Sequence, residues 1–187
     1  MSEQERRRYF RIDDHVGLQL TAIPAADEAA AIRNFADASA RAGLINELRA
    51  IRETHLSQRR SLESRFPTVA AYIGSLERQI DTLAFALDDR DDFPRNPDTP
   101  VNLSGQGLSL LTDLGLAVGS LVEVKLALFP DRSRINALAR IVKLDGGENG
   151  AETALEFTHL READREAIIH HVHAVQRVRL LAQTLDE

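Results

Sequence analysis

The chain has no cysteine among its 187 residues. That excludes disulfide staples, thiolate nucleophiles and cysteine-ligated zinc, and it fits a reducing compartment. It also lacks any apolar run near the ~20 residues of a membrane span, and its N-terminus is polar at once. Cytoplasm is therefore the expected location, with no membrane partner. A basic excess is missing as well. The net charge is -6, which argues against a protein that coats DNA and leaves room only for a local basic site. What is present is an apolar fraction of 43%, enough for a real core. The length suits one domain with an elaboration or two small ones.

Three regions differ in hydrophobic period. Val16, Leu18, Leu20 and Ala22 alternate within "HVGLQLTAI", which predicts a half-buried strand ended by Pro24. From Asp27, a plausible N-cap, to Arg90 the period is helical. Leu44, Leu48, Ile51, His55, Gln58 and Leu62 form one series at steps of four and three. Phe66-Pro67 interrupts it, because a residue before proline is pushed out of the α region. Val69, Ile73, Leu76, Ile80, Leu83 and Leu87 form the second series, a heptad seam. Two arrangements bury such seams. Either the helices form a hairpin that buries both seams against each other or against the domain, or part of the seam faces another subunit in a dimer or tetramer. "DDRDDFPRNPDTP", residues 88–100, predicts a solvated acidic connector; it lacks the glycine and closing glutamate of a calcium loop.

Strand patterns return after residue 100. "SLVEVKLAL", "INALARIVKL" and "ETALEFTHL" alternate, and "DGGENG" marks a turn between the last two. A final helix carries apolar residues at Ile168, Val172, Val175 and Leu181 or Ala182. Several short strands and one terminal helix predict an α+β protein built on a small antiparallel barrel.

The chemistry-bearing residues are few. His170 and His173 in "HHVH" share a helix face while His171 points elsewhere; two ligands make no zinc site, so these read as exposed histidines flanking an Ile169/Val172 stripe. No nucleophile elbow, phosphate loop or zinc-protease helix is present, and no enzymatic activity, cofactor or metal is expected. "ERRRYFR", residues 5–11, packs four arginines and two aromatics into seven positions. "VNLSGQGLSLL" holds Asn102, Ser104 and Gly107 in the pattern N-x-S-x-x-G. Asn and Ser side chains bond to nearby backbone and to ligand edges, and glycine allows close backbone approach.

Arg7 and Arg11, spaced R-x-x-x-R, together with Asn102, Ser104 and Gly107, resemble the paired signature of the PilZ domain, a receptor module for cyclic di-GMP. The downstream strand ladder and closing helix resemble that family too. The likeness covers about 110 of the 187 residues. It implies a six-stranded antiparallel barrel with a C-terminal helix, formed by residues 1–24 and 98–187. The helical hairpin or coiled coil, residues 25–97, is then an insertion between the first and second strands. It further implies that Arg7 and Arg11 grip cyclic di-GMP, with Asn102 and Ser104 at a guanine edge or phosphate and Gly107 shaping the turn. Arg6 and Arg8 are neighbours that could add phosphate contacts, and Tyr9 and Phe10 are expected to anchor the arm on the barrel or to stack on a base. A guanidinium fork suits both guanine O6/N7 and phosphate. The implied role is a non-catalytic receptor that passes the second-messenger level to an unknown downstream protein. The alternative is a PilZ-fold adaptor that acts through oligomerisation and protein contacts without binding the nucleotide.

Overall fold

The computed structural model describes residues 10–42, 44–87, 93–112, 115–130, 133–147 and 150–185. Six strands, β1 Ile12–Ile23, β2 Thr99–Ser104, β3 Gly107–Thr112, β4 Leu121–Leu128, β5 Ser133–Gly147 and β6 Gly150–His159, close an antiparallel barrel in the order β1-β2-β3-β6-β5-β4. Four helices lie between β1 and β2 in the chain: α1 Glu28–Ala42, α2 Leu44–Thr54, α3 Leu56–Arg65 and α4 Pro67–Leu87. A long helix, α5 Glu162–Leu185, follows β6. Among the described residues no helix is long and apolar enough to cross a membrane.

The barrel closes because β1 is long enough to serve two partners. Ile12–Val16 pair with β2, and Gly17–Ile23 pair with β4. The change of partner falls at Gly17, where a Cβ would stand 2.8 Å from Pro94 Cβ, so only glycine admits the chain crossing there. Inward positions alternate along every strand. Val16, Leu103, Leu108, Val124, Leu126, Ile135, Ile141 and Leu155 are sealed inside. Ile168 and Val172 of α5 join the same core.

The acidic connector departs from the solvated loop expected of it. Phe93 is buried, with Lys125 Nζ 5.9 Å and the Arg134 guanidinium 5.7 Å from its ring centroid. An aromatic face attracts cations and supplies apolar area, so Phe93 pins the return of the chain to the barrel. Asp88–Asp92 lie outside the described residues.

The helical segment also differs from a simple hairpin. The first heptad series breaks at His55, between α2 and α3. Thr54 Oγ1 donates back to Ile51 O at 2.7 Å, a bond that competes with the helix ladder and bends it. The break at Phe66-Pro67 stands where the proline predicts it. On α4 the inward row is Ala70, Gly74, Glu77, Asp81 and Ala84, half-buried to buried. Arg52 of α2 meets Asp81 through two bonds of 2.7 and 2.9 Å, and Arg59 of α3 meets Glu77 at 3.3 Å. The apolar seam lies one position away and faces out: Val69, Ile73, Leu76, Ile80 and Leu83 are all exposed. The side chain of Leu87 lies outside the described residues. α3 buries no residue at all. The two seams therefore do not cover each other.

α2 and α5 are joined through a buried amide. Asn46 Nδ2 donates to Asp164 Oδ1 at 2.8 Å and to Arg134 O at 2.9 Å. Both Asn46 and Asp164 are buried, and a carboxylate in that position needs such a donor.

Candidate functional site

The start of β1 and the β2–β3 turn meet because of strand register. Asp13 stands opposite Asn102 and Ile12 opposite Leu103. One step further along the same ladder, Arg11 comes beside the end of β2. Its Nη1 donates to Asn102 Oδ1 at 3.4 Å, although 91 positions separate the two residues. Asn102 Nδ2 in turn donates to Asp13 Oδ1 at 2.8 Å. A carboxylate only accepts, so this bond fixes which way the amide faces and leaves Oδ1 to Arg11.

Ser104 plays an inward role. Its hydroxyl donates to Gly107 O at 3.2 Å and accepts from Gln106 N–H at 3.3 Å, closing the turn on itself. Gly107 crosses β6 so closely that a Cβ would lie 2.0 Å from Leu155 O. The turn is held from outside as well: Phe157 N–H donates to Gln106 O at 2.8 Å, and Arg165 Nη1 donates to Gly105 O at 2.6 Å. Asn102, Ser104 and Gly107 are thus one rigid unit at the rim of the barrel, with Arg11 beside it. Arg7, Arg6, Arg8 and Tyr9 lie outside the described residues. Phe10 is 67% exposed and is not buried against the barrel as expected of an anchor.

A groove of about 530 Å³ opens next to this unit, lined among others by Asp13, Asp14, Asn102, Ser109, Glu152 and Arg179. Its rim carries both signs of charge. Three carboxylates, Asp13, Asp14 and Glu152, face one arginine, Arg179, so the wall is mainly acidic.

The sequence reading missed the contribution of α5. Arg179 donates to Asp13 O, and His171 Nε2 lies 2.6 Å from Asp14 Oδ2. His171 was expected to be an exposed helix histidine; its side chain is only 9% exposed because it is docked on β1. His170 and His173 remain exposed, with His170 Nδ1 3.3 Å from Glu53 Oε1. Neighbouring histidines thus serve different carboxylates. The spacing of His171 and Arg179, two turns apart on one helix, was the available signal. It identifies a shared face but not the strand that the face meets.

A closed six-stranded barrel with a C-terminal helix laid across β1 and the β2–β3 turn defines the class of fold. The family model of the PilZ domain matches residues 79–174, just over half of the chain, and the protein belongs to that family. The match begins within α4, spans β2 to β6 and ends midway along α5; β1 and the arginine pair precede it. No curated protein sequence matches the chain. In structure, the chain is similar to a pathogenic protein from Xanthomonas campestris, a tetrameric PilZ domain self-assembled via an unusual helical bundle. Identity is 15% over 92% of this chain and 90% of that one, with a TM-score of 0.54. A looser likeness is to an inhibitor of motility from Bacillus subtilis, at 17% identity over 46% of this chain and 43% of that one, with a TM-score of 0.38.

Proposed function

We propose that this PilZ protein is a cytoplasmic, non-catalytic receptor for cyclic di-GMP. The observation that carries the reading is the Arg11–Asn102 contact, which brings the two halves of the family signature together across the helical insertion. Arg11, with Arg7 and its neighbours Arg6 and Arg8 on the arm, supplies guanidinium forks for phosphate and for guanine O6/N7. Asn102 meets a base edge, and Ser104 and Gly107 hold the turn that presents it. The carboxylates of the groove suit the N–H donors of guanine. Binding orders the arginine arm, and the cost of that ordering is offset by the new contacts.

Calorimetric titration of the full chain with cyclic di-GMP tests this. Binding is expected at tens of micromolar or tighter, and Arg7→Ala and Arg11→Ala are each expected to weaken it by more than ~1 kcal/mol. Arg60→Ala, on the exposed side of α3, is the control. Absence of heat from the wild-type protein overturns the receptor reading in favour of a protein-binding adaptor.

The exposed seam of α4 favours a second reading that is compatible with the first: residues 25–97 form an oligomerising insertion in a barrel made of residues 1–24 and 98–187. The tetrameric assembly of the Xanthomonas protein supports this use of added helices. Light scattering is expected to give a multiple of the 20.8 kDa chain mass. Ile80→Asp combined with Leu83→Asp should return it to the monomer. A wild-type monomer at micromolar concentration would sink the idea.

A further inference from the structure

A second groove, of about 750 Å³, runs between α2, the Phe129–Pro130 end of the β4–β5 turn and the outer face of α5. Its lining is of two kinds. Phe129, Pro130, Val175 and Val178 supply apolar surface, while Arg49, Arg177 and Arg179 supply fixed positive charge. Among the described residues the carboxylate on its wall is Glu53, which His170 engages. Asp14 sits behind His171, and His173 completes the row of titratable groups. In a chain of net charge -6 this is a locally cationic, apolar-floored trough. Val178 on its wall is 67% exposed, and Leu181, three positions further along α5, is 60% exposed.

The trough shares a wall with the groove beside Asn102. Arg179 lines both. It donates to Asp13 O, beside Asn102. His171 lines the trough and holds Asp14, which lines the other groove. Any shift of β1 on ligand binding is therefore felt by two side chains of the trough.

We propose that the α2–α5 trough docks an acidic amphipathic helix of a partner protein, and that cyclic di-GMP changes the affinity through Arg179 and His171. The coupling rests on the receptor reading above; the docking site does not. A helix laid in an apolar groove buries a stripe at i, i+3, i+4 and i+7. The arginines select carboxylates flanking that stripe, which gives specificity by charge as well as by area.

The test uses the full chain and fluorescence anisotropy with a synthetic peptide of about fourteen residues, leucines on one face and glutamates elsewhere. Its twin carries lysine for glutamate. The acidic peptide is expected to bind at least about tenfold tighter than the twin. Arg177→Glu should weaken it about fivefold or more while leaving the melting temperature and cyclic di-GMP binding unchanged. Val178→Ser should weaken both peptides, and saturating cyclic di-GMP should change the acidic peptide's affinity about threefold or more. Equal binding of the two peptides, binding of neither, survival of binding in Arg177→Glu, or loss of binding only when the protein's own oligomer forms each overturns the docking site. Peptide binding that ignores cyclic di-GMP, in a protein that gives calorimetric heat with it, overturns the coupling alone. Absence of that heat removes the receptor reading and the coupling together.

Discussion

Leu126 and Ile80 are both large aliphatic residues in regular secondary structure, yet Leu126 is sealed inside the barrel and Ile80 is 47% exposed on α4. The barrel hides its inward rows within one chain. Helix α4 does the reverse. It turns charged and small residues toward α2 and α3 and presents its apolar row to the outside. A heptad row of that length left in water is out of keeping with a helix that serves only its own chain. The two regions thus differ in where their apolar surface goes: the barrel's is buried within the chain, while that of α4 lies on the chain's exterior.

The largest effect that separates them is cavity formation. Leu126→Ala should cost about 3 kcal/mol or more in denaturant unfolding, from lost transfer energy plus the void. Ile80→Ala should cost less than about 0.5 kcal/mol when the protein is diluted to monomer, since an exposed side chain leaves no void. At high concentration the same substitution should lower stability markedly, because mass action then links folding to assembly. Equal costs at every dilution would erase the contrast between the two regions.

Two glycines sharpen it further. Gly107→Ala should cost about 2–3 kcal/mol, because its Cβ would collide with a backbone carbonyl of β6 that cannot yield cheaply. Gly74→Ala on α4 should go the other way and stabilise by roughly 0.5–1 kcal/mol. Its Cβ would meet only the flexible end of Arg78, at 3.8 Å. Thermal melting of the two variants side by side reads both signs, and a destabilised Gly74→Ala would mean that α4 is packed more tightly along that row than the structure has it.

Much of this contrast was legible in the sequence. Period two located β4, β5 and β6, and the Phe66-Pro67 break separated α3 from α4. The paired motifs were legible only through their resemblance to the PilZ signature; register, not proximity in the chain, brings Arg11 to Asn102. What escaped notice depends on which surfaces meet. Phe93 in an acidic stretch gives no periodic signal, and the two cations beside its ring come from β4 and β5, far along the chain. His171 and Arg179 reach β1 only because α5 crosses it. The inward row of α4 was hidden for a related reason. The heptad pattern left open whether Ile73 and Ile80 face the chain's own helices or another subunit, and it gave no sign that Arg52 and Arg59 meet Asp81 and Glu77 on the inner face.

That choice of face gives the most specific effect. Arg52 grips both carboxylate oxygens of Asp81, and its pKa is raised. The hydrogen bond to Asp81 is the first cause, desolvation opposes it, and the charges of Asp81 and Glu77 add to it. A raised basic group contributes stability that is full below its unfolded pKa and is lost only as pH rises through the folded one. Both values lie above any ordinary working pH, so the guanidinium side of the pair stays constant from about pH 6 to about pH 9. The pair is partly solvated, and Arg52→Ala should cost only about 1 kcal/mol. Arg52→Lys should recover part of that at best, because an ammonium keeps the charge and loses the fork. The informative readout is the seam. If the ion pair is what turns the polar row of α4 inward, Arg52→Ala should shift the oligomer equilibrium measured by light scattering more than Arg60→Ala does. An unchanged equilibrium would mean that the apolar row faces outward without help from Arg52.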